Sequence, residues 1–220
     1  MFERKVSMDN IKAVIFDLDG TLIDSMWIWN KIDEDYLKDF GYIVPEGLQE
    51  EITHLTLTET AIYFKKRFNI NNEIDDIISA WNNMAFDHYS NEIKLKDGVL
   101  EYLNFLREKK IKIALATSNS IPLLEVTLKK NNIYHYFDAI TTSEEVQKPK
   151  NNPDIYLLSA KKLNVSPEDC LVFEDIVQAV KGAKLAGMKV YAIHDKSSEN
   201  QKEDLIKLAD KYIMGFNELL

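Results

Sequence analysis

Short apolar runs separated by stretches of helical period set the narrowest limit on how this chain can fold. Residues 11–16, 111–116, 170–173 and 188–193 are nearly continuous hydrophobic segments, with a shorter one inside 136–142 and a last at 212–214. Such runs, rather than alternation at period two, mark strands buried on both faces. Between them, 122–130, 153–163, 177–185 and 203–209 read as helices, one entered through Asn152-Pro153 and one stopped by Gly187. Strands alternating with helices build a parallel sheet covered on both sides, so the predicted class is α/β, doubly wound.

One block breaks the alternation. From Met26 to about Glu92 no run reads as a buried strand. Trp27, Ile28, Ile32, Tyr36, Leu37 and Phe40 recur at helical spacing and stop at Gly41, and 58–68 and 73–89 continue the pattern across Asn69, Asn71 and Asn72. This predicts an all-helical domain at 27–92, inserted into an α/β core formed by 1–26 and 93–220. At 220 residues and 45% hydrophobic content, the chain is long enough for a core domain and a small second one.

Composition narrows the partners. The net charge is −9, and the longest basic tract is Lys65-Lys66-Arg67, which argues against nucleic acid. That tract reads as a solvated face. Cys170 is the only cysteine, as expected in a reducing compartment. The first ten residues carry Glu3, Arg4, Lys5 and Asp9 with no apolar stretch of a signal peptide, and no run approaches the ~18 apolar residues of a membrane span. The expectation is a cytoplasmic protein, monomeric, with no membrane partner. His54, His88, His135 and His194 show no metal-ligand spacing and read as surface or packing residues.

Each predicted strand ends in polar residues. Asp17 and Asp19 follow the first, Thr117-Ser118-Asn119 the second, Lys148 comes after the third, and Glu174-Asp175 close the fourth. In a doubly wound sheet, ligands bind beyond the carboxyl ends of the strands, so these groups would converge on one crevice. Several carboxylates repel one another unless a hard cation neutralises them, and all-oxygen ligation suits Mg²⁺. A lysine and a hydroxyl beside such an ion make a cradle for phosphoryl oxygens. One carboxylate could then attack phosphorus while a second moves the proton. A calcium loop also begins Asp-x-Asp, but its sixth and twelfth positions would here be Leu22 and Ile28, not Gly and Glu.

At these residues the sequence resembles the haloacid dehalogenase-like hydrolase superfamily. Phe16-Asp17-Leu18-Asp19-Gly20-Thr21-Leu22 is similar to its first motif, Leu115-Ala116-Thr117-Ser118-Asn119 to its second, Lys148-Pro149 with Pro153-Asp154-Ile155-Tyr156 to its third, and Val172-Phe173-Glu174-Asp175 to its fourth. The resemblance implies a Rossmann-like core with a C1-type helical cap, as in the phosphatase and β-phosphoglucomutase branch. It implies Asp17 as nucleophile and Mg²⁺ ligand, and Asp19 as general acid and base with its backbone carbonyl on the metal. Thr117, Ser118, Asn119 and Lys148 would bind the phosphoryl group, and Asp175 with Glu174 would complete the metal site. The expected activity is hydrolysis of a small phosphate ester, a sugar phosphate among the candidates. The phosphosugar mutases remain an alternative, although Trp29 stands where they carry a histidine and no arginine falls between Met26 and Lys66. A receiver-type signalling module is the alternative from another class. Trp27 and Trp29, two apart on a helix, cannot share a face, so either one packs in the cap with the other at the cleft, or both belong to the cap core.

Overall fold

The computed structural model describes residues 10–220 apart from 53, 54 and 56; the readings of the first residues and of His54 lie outside the described residues. In chain order the elements are β1 (Ala13–Phe16), β2 (Ile23–Asp24), α1 (Ile28–Asp39), α2 (Leu48–Ile52), α3 (Leu57–Arg67), α4 (Ile74–Asn91) and β3 (Lys94–Leu95). There follow α5 (Val99–Glu108), β4 (Lys112–Thr117), α6 (Ile121–Lys130), β5 (Ala139–Thr142), α7 (Asp154–Leu163), β6 (Cys170–Glu174), α8 (Val177–Leu185), β7 (Lys189–Ile193), α9 (Lys202–Leu208) and β8 (Lys211–Ile213). By internal contacts the chain divides into two units, 1–25 with 93–220, and 26–92.

In the first unit six parallel strands lie in the order β5-β4-β1-β6-β7-β8. Numbered by their own succession this is 3-2-1-4-5-6, the doubly wound order whose direction of growth reverses between the first strand and the fourth. The α/β expectation holds. All four residues of β1 and all five of β6 are buried, which is why their sequences show no alternation. The alternation is present in what the two faces touch. Ala13, Ile15, Ala114, Ala116 and Val172 pack with Ile155, Tyr156 and Ala160 of α7 and Val180 and Ala183 of α8. On the other face Phe16 stacks on Phe173 at 5.2 Å, and both meet Tyr102 of α5 and Phe216 edge-on or tilted. Aromatic pairs of this kind add about 0.5–1.5 kcal/mol each to the burial of their rings.

Pairing in register sets what comes next. Phe16 lies opposite Phe173, so Asp17 and Glu174 leave the sheet side by side, and the Asp17 amide donates to the Phe173 carbonyl at 3.1 Å. A slip of one residue would turn every core side chain to the wrong face.

Four elements are absent from the sequence reading. The two-residue strands β2 and β3 and the five-residue α2 are too short to leave a periodic signal. Helix α5 does leave one, since Val99, Tyr102, Leu103 and Leu106 form its buried stripe. Antiparallel pairing of Asp24 with Lys94 brings together the two points where the chain leaves and re-enters this unit.

The second unit, 26–92, is all helical. Its interior is aromatic, with Tyr36, Phe64, Phe68 and Trp81 in contact at 5.0–5.6 Å. Trp27 meets His88 edge-on at 5.7 Å, yet Trp27 and Trp29 are both exposed, at 38% and 39%, so neither is the interior residue expected from the sequence. His88 is buried and sits 2.9 Å from Glu92.

Candidate active site

Asp17, Glu174 and Asp175 are buried and offer carboxylate oxygens within 4.8 Å of one another. They stand at the ends of β1 and β6, the adjacent strands between which the sheet reverses its winding. Burial drives the Glu174 carboxyl up to about 7, with Lys150 opposing and Asp17 reinforcing the rise. The Asp175 carboxyl is raised well above its ordinary range by burial and by the negative charges of Asp17 and Glu174. A cluster that resists losing its protons in this way lacks compensating positive charge.

Some of that charge comes from Lys150. Its Nζ lies 2.6 Å from Asp17 Oδ1, 2.6 Å from Glu174 Oε1 and 3.0 Å from the Ala116 carbonyl. Burial disfavours its charge, but the attraction of the two carboxylates outweighs this and raises its pKa. Tyr156 Oη donates to the same Glu174 Oε1 at 2.7 Å, and burial next to that carboxylate holds the phenol protonated. Glu174 Oε2 is buried with no hydrogen-bond partner. An orphaned acceptor on one of three clustered carboxylates is what a divalent, oxygen-liganded cation would satisfy, so this donor set fits Mg²⁺.

Lys148, the lysine singled out in the sequence, is exposed, and Lys150 occupies the position expected of it. The two stand on one loop, and only the path of that loop distinguishes them. The Asn152 amide donates to the Pro149 carbonyl at 2.9 Å, and the Lys150 and Asn152 carbonyls rest on Gly182 of α8, where a Cβ would lie 1.9 Å from the first. The sequence offered one usable signal. Lys150 is the nearer of the two to the Pro153-Asp154 start of α7, where Tyr156, its neighbour in the site, also sits.

The remaining predicted residues form a second cluster. The first loop turns at Gly20 (φ +77°), with the Leu18 carbonyl accepting from the amides of Leu22 at 2.9 Å and Ile23 at 3.1 Å. The Asp19 carboxylate accepts from Ser25 Oγ at 2.6 Å and from Asn119 Nδ2 at 2.8 Å, which joins the first motif to the end of β4. Thr117 is buried, its Oγ1 accepting from the Asn119 amide at 3.0 Å. Ser118 Oγ pairs with Ser143 Oγ at 3.0 Å. Besides Lys150, the motif reading leaves out Ser25, and it includes Tyr156 in the third motif without giving it a role.

Comparison with known proteins points to one family. The family model described as haloacid dehalogenase-like hydrolase matches residues 14–193. A phosphorylated carbohydrates phosphatase of Thermotoga maritima is 30% identical over 83% of this chain and 85% of its own length. Hexitol phosphatase B of Escherichia coli K12 is 27% identical over 95% of this chain and 94% of its own. Among solved structures, one from Thermotoga maritima named "putative beta-phosphoglucomutase" superposes with a TM-score of 0.84 at 28% identity, covering 95% of this chain and 97% of that one.

Proposed function

The chain belongs to the haloacid dehalogenase-like hydrolase family, as one of its phosphatases, and from that premise we propose that it is a Mg²⁺-dependent enzyme that releases inorganic phosphate from a small phosphorylated metabolite, a sugar phosphate among the candidates, through an aspartyl-phosphate. The observation that carries the reading is the group of three buried carboxylates at the reversal point of the sheet, two of which, Asp17 and Glu174, share Lys150.

In this reading an Asp17 carboxylate oxygen attacks phosphorus and the ester P–O bond breaks. Asp19 gives its proton to the leaving alkoxide, then takes one from the water that attacks the acyl phosphate. The P–O bond to Asp17 breaks and phosphate leaves. Ser25 and Asn119 aim the Asp19 carboxylate, which needs a fixed direction for both proton transfers. Thr117, Ser118 and Asn119 would hold the phosphoryl oxygens. Lys150, rather than Lys148, would screen the nucleophile from the incoming phosphate. Asp17, Glu174, Asp175 and the Asp19 carbonyl would hold Mg²⁺, which when bound supplies charge neutralisation for the phosphoryl group.

Hydrolysis of p-nitrophenyl phosphate with Mg²⁺ tests this. Activity is expected to vanish with EDTA and to fall by about three orders of magnitude or more in Asp17→Asn. Full activity in that variant would remove Asp17 from the role of nucleophile. A panel of phosphometabolites with phosphate release as readout then identifies the substrate.

The name of the structural neighbour supports one second reading, a phosphosugar mutase. Trp29 in place of the expected histidine and the arginine-free stretch from 26 to 66 speak against it. Conversion of β-glucose 1-phosphate to glucose 6-phosphate with catalytic bisphosphate, without free phosphate, would establish it. The signalling-receiver alternative is set aside by the family match.

A further inference from the structure

Lys96 follows β3, outside every motif, and its side chain is 16% exposed. Its Nζ reaches Asp195 Oδ2 at 2.7 Å, the His194 carbonyl at 2.8 Å and the Gly20 carbonyl. The first two acceptors lie just past the carboxyl end of β7, and the third belongs to the loop that carries Asp17 and Asp19. The Lys96 amide also donates to the Leu22 carbonyl at 2.9 Å. An ammonium has three donors, and here three acceptors meet them. Asp195, 6% exposed, further accepts from the Ser197 amide at 2.9 Å and Ser197 Oγ at 2.6 Å. A buried ion pair holds its place only when its other hydrogen bonds are made, and these are. The pair therefore has the completeness of a built joint between the first loop and β7.

Gly20 explains why a cation is needed there. Its positive φ turns the chain between Asp19 and Thr21, and its buried carbonyl requires a partner. A neutral amide nitrogen has two donors and no charge, so it could not serve two carbonyls and a carboxylate together.

We propose that Lys96 is a positioning residue for phosphoryl transfer. It ties the Gly20 carbonyl to the end of β7 and so fixes the Asp17–Gly20 segment before any ligand arrives, with Asp195 as its stabilising counter-ion. The catalytic consequence rests on the phosphatase reading; the joint itself does not.

The full-length protein is compared with Lys96→Met, Asp195→Asn and the double variant by hydrogen–deuterium exchange of peptides covering 17–25, by kcat and KM on p-nitrophenyl phosphate, and by thermal unfolding. Asp195→Asn keeps both carbonyl contacts, so Tm falls while loop exchange and kcat stay within about threefold of the parent. The double variant leaves no unpaired carboxylate and regains Tm relative to Lys96→Met. Its loop still exchanges about tenfold faster or more, and kcat falls on the order of tenfold or more at unchanged KM. The proposal is overturned if loop exchange in the double variant matches the parent, or if its kcat recovers in step with Tm. Should the parent hydrolyse no phosphate ester, the phosphatase reading fails and loop exchange alone decides the joint.

Discussion

Lys150 carries its charge among three buried carboxylates, and that neighbourhood determines what a substitution there does. In Lys150→Met, Asp17 and Glu174 face each other without their shared cation. Removing one member of a buried pair costs roughly 3–5 kcal/mol, because the remaining charge stays desolvated. The phosphoryl group would also lose a cationic partner, a loss worth about a hundredfold or more in turnover. Lys148→Met removes an exposed charge and is expected to stay within about 0.5 kcal/mol and twofold in rate. Parallel melts and steady-state assays of the two variants check this, and loss of turnover in Lys148→Met alone would reverse the assignment.

At the scale of elements, α8 shapes the loop that delivers Lys150. A methyl at Gly182 would overlap the backbone carbonyls of Lys150 and Asn152, and backbone has no rotamer to escape into. Gly182→Ala is expected to cost about 1–3 kcal/mol or more and to depress turnover by displacing the loop; unchanged kcat and Tm would show that the loop yields freely. Helix α1 supplies a pH-dependent counterpart. Burial raises Asp33 to about 6, with the Gln49 hydrogen bond at 2.7 Å acting in the opposite direction. The native state therefore keeps its proton above the unfolded-state value near 3.8, so stability falls as pH rises from about 4 through 6 and the full penalty applies above that. Asp33→Asn removes it while its amide oxygen can still accept from Gln49. Its Tm should exceed the parent's by several degrees at pH 7.5, corresponding to at most about 3 kcal/mol, and match it near pH 4. An equal offset at both pH values would contradict the burial argument.

For the whole molecule, under the proposed reading, the cost of gathering like charges would be recovered when Mg²⁺ binds. A cation that binds the native state alone stabilises it by RT ln(1 + [L]/Kd), about 2.7 kcal/mol at a hundredfold excess over Kd. Millimolar Mg²⁺ is thus expected to raise Tm by several degrees, EDTA to reverse this, and Asp175→Asn to abolish the response; an Mg²⁺-dependent shift of full size in that variant would move the metal elsewhere. No helix among the described residues is long and apolar enough to cross a membrane.

The sequence by itself determined the class of fold and the types of group at the site. Strands buried on both faces must be continuously apolar, and the only places left for Asp17, Thr117 and Glu174-Asp175 were the strand ends, so composition and order sufficed for them. For Lys148 against Lys150 it offered only the nearness of Lys150 to the start of α7 and could not settle the choice, because both are lysines on one loop and what seats Lys150 is how closely that loop can approach Gly182, 32 positions from Lys150. Nor could it disclose Lys96, which reaches acceptors 76 and 98 positions away in the chain. Long-range contacts between polar side chains and backbone carbonyls leave no periodicity behind. They exist only once the register of β1, β6 and β7 has brought the partners together, and that is what the tertiary structure decided.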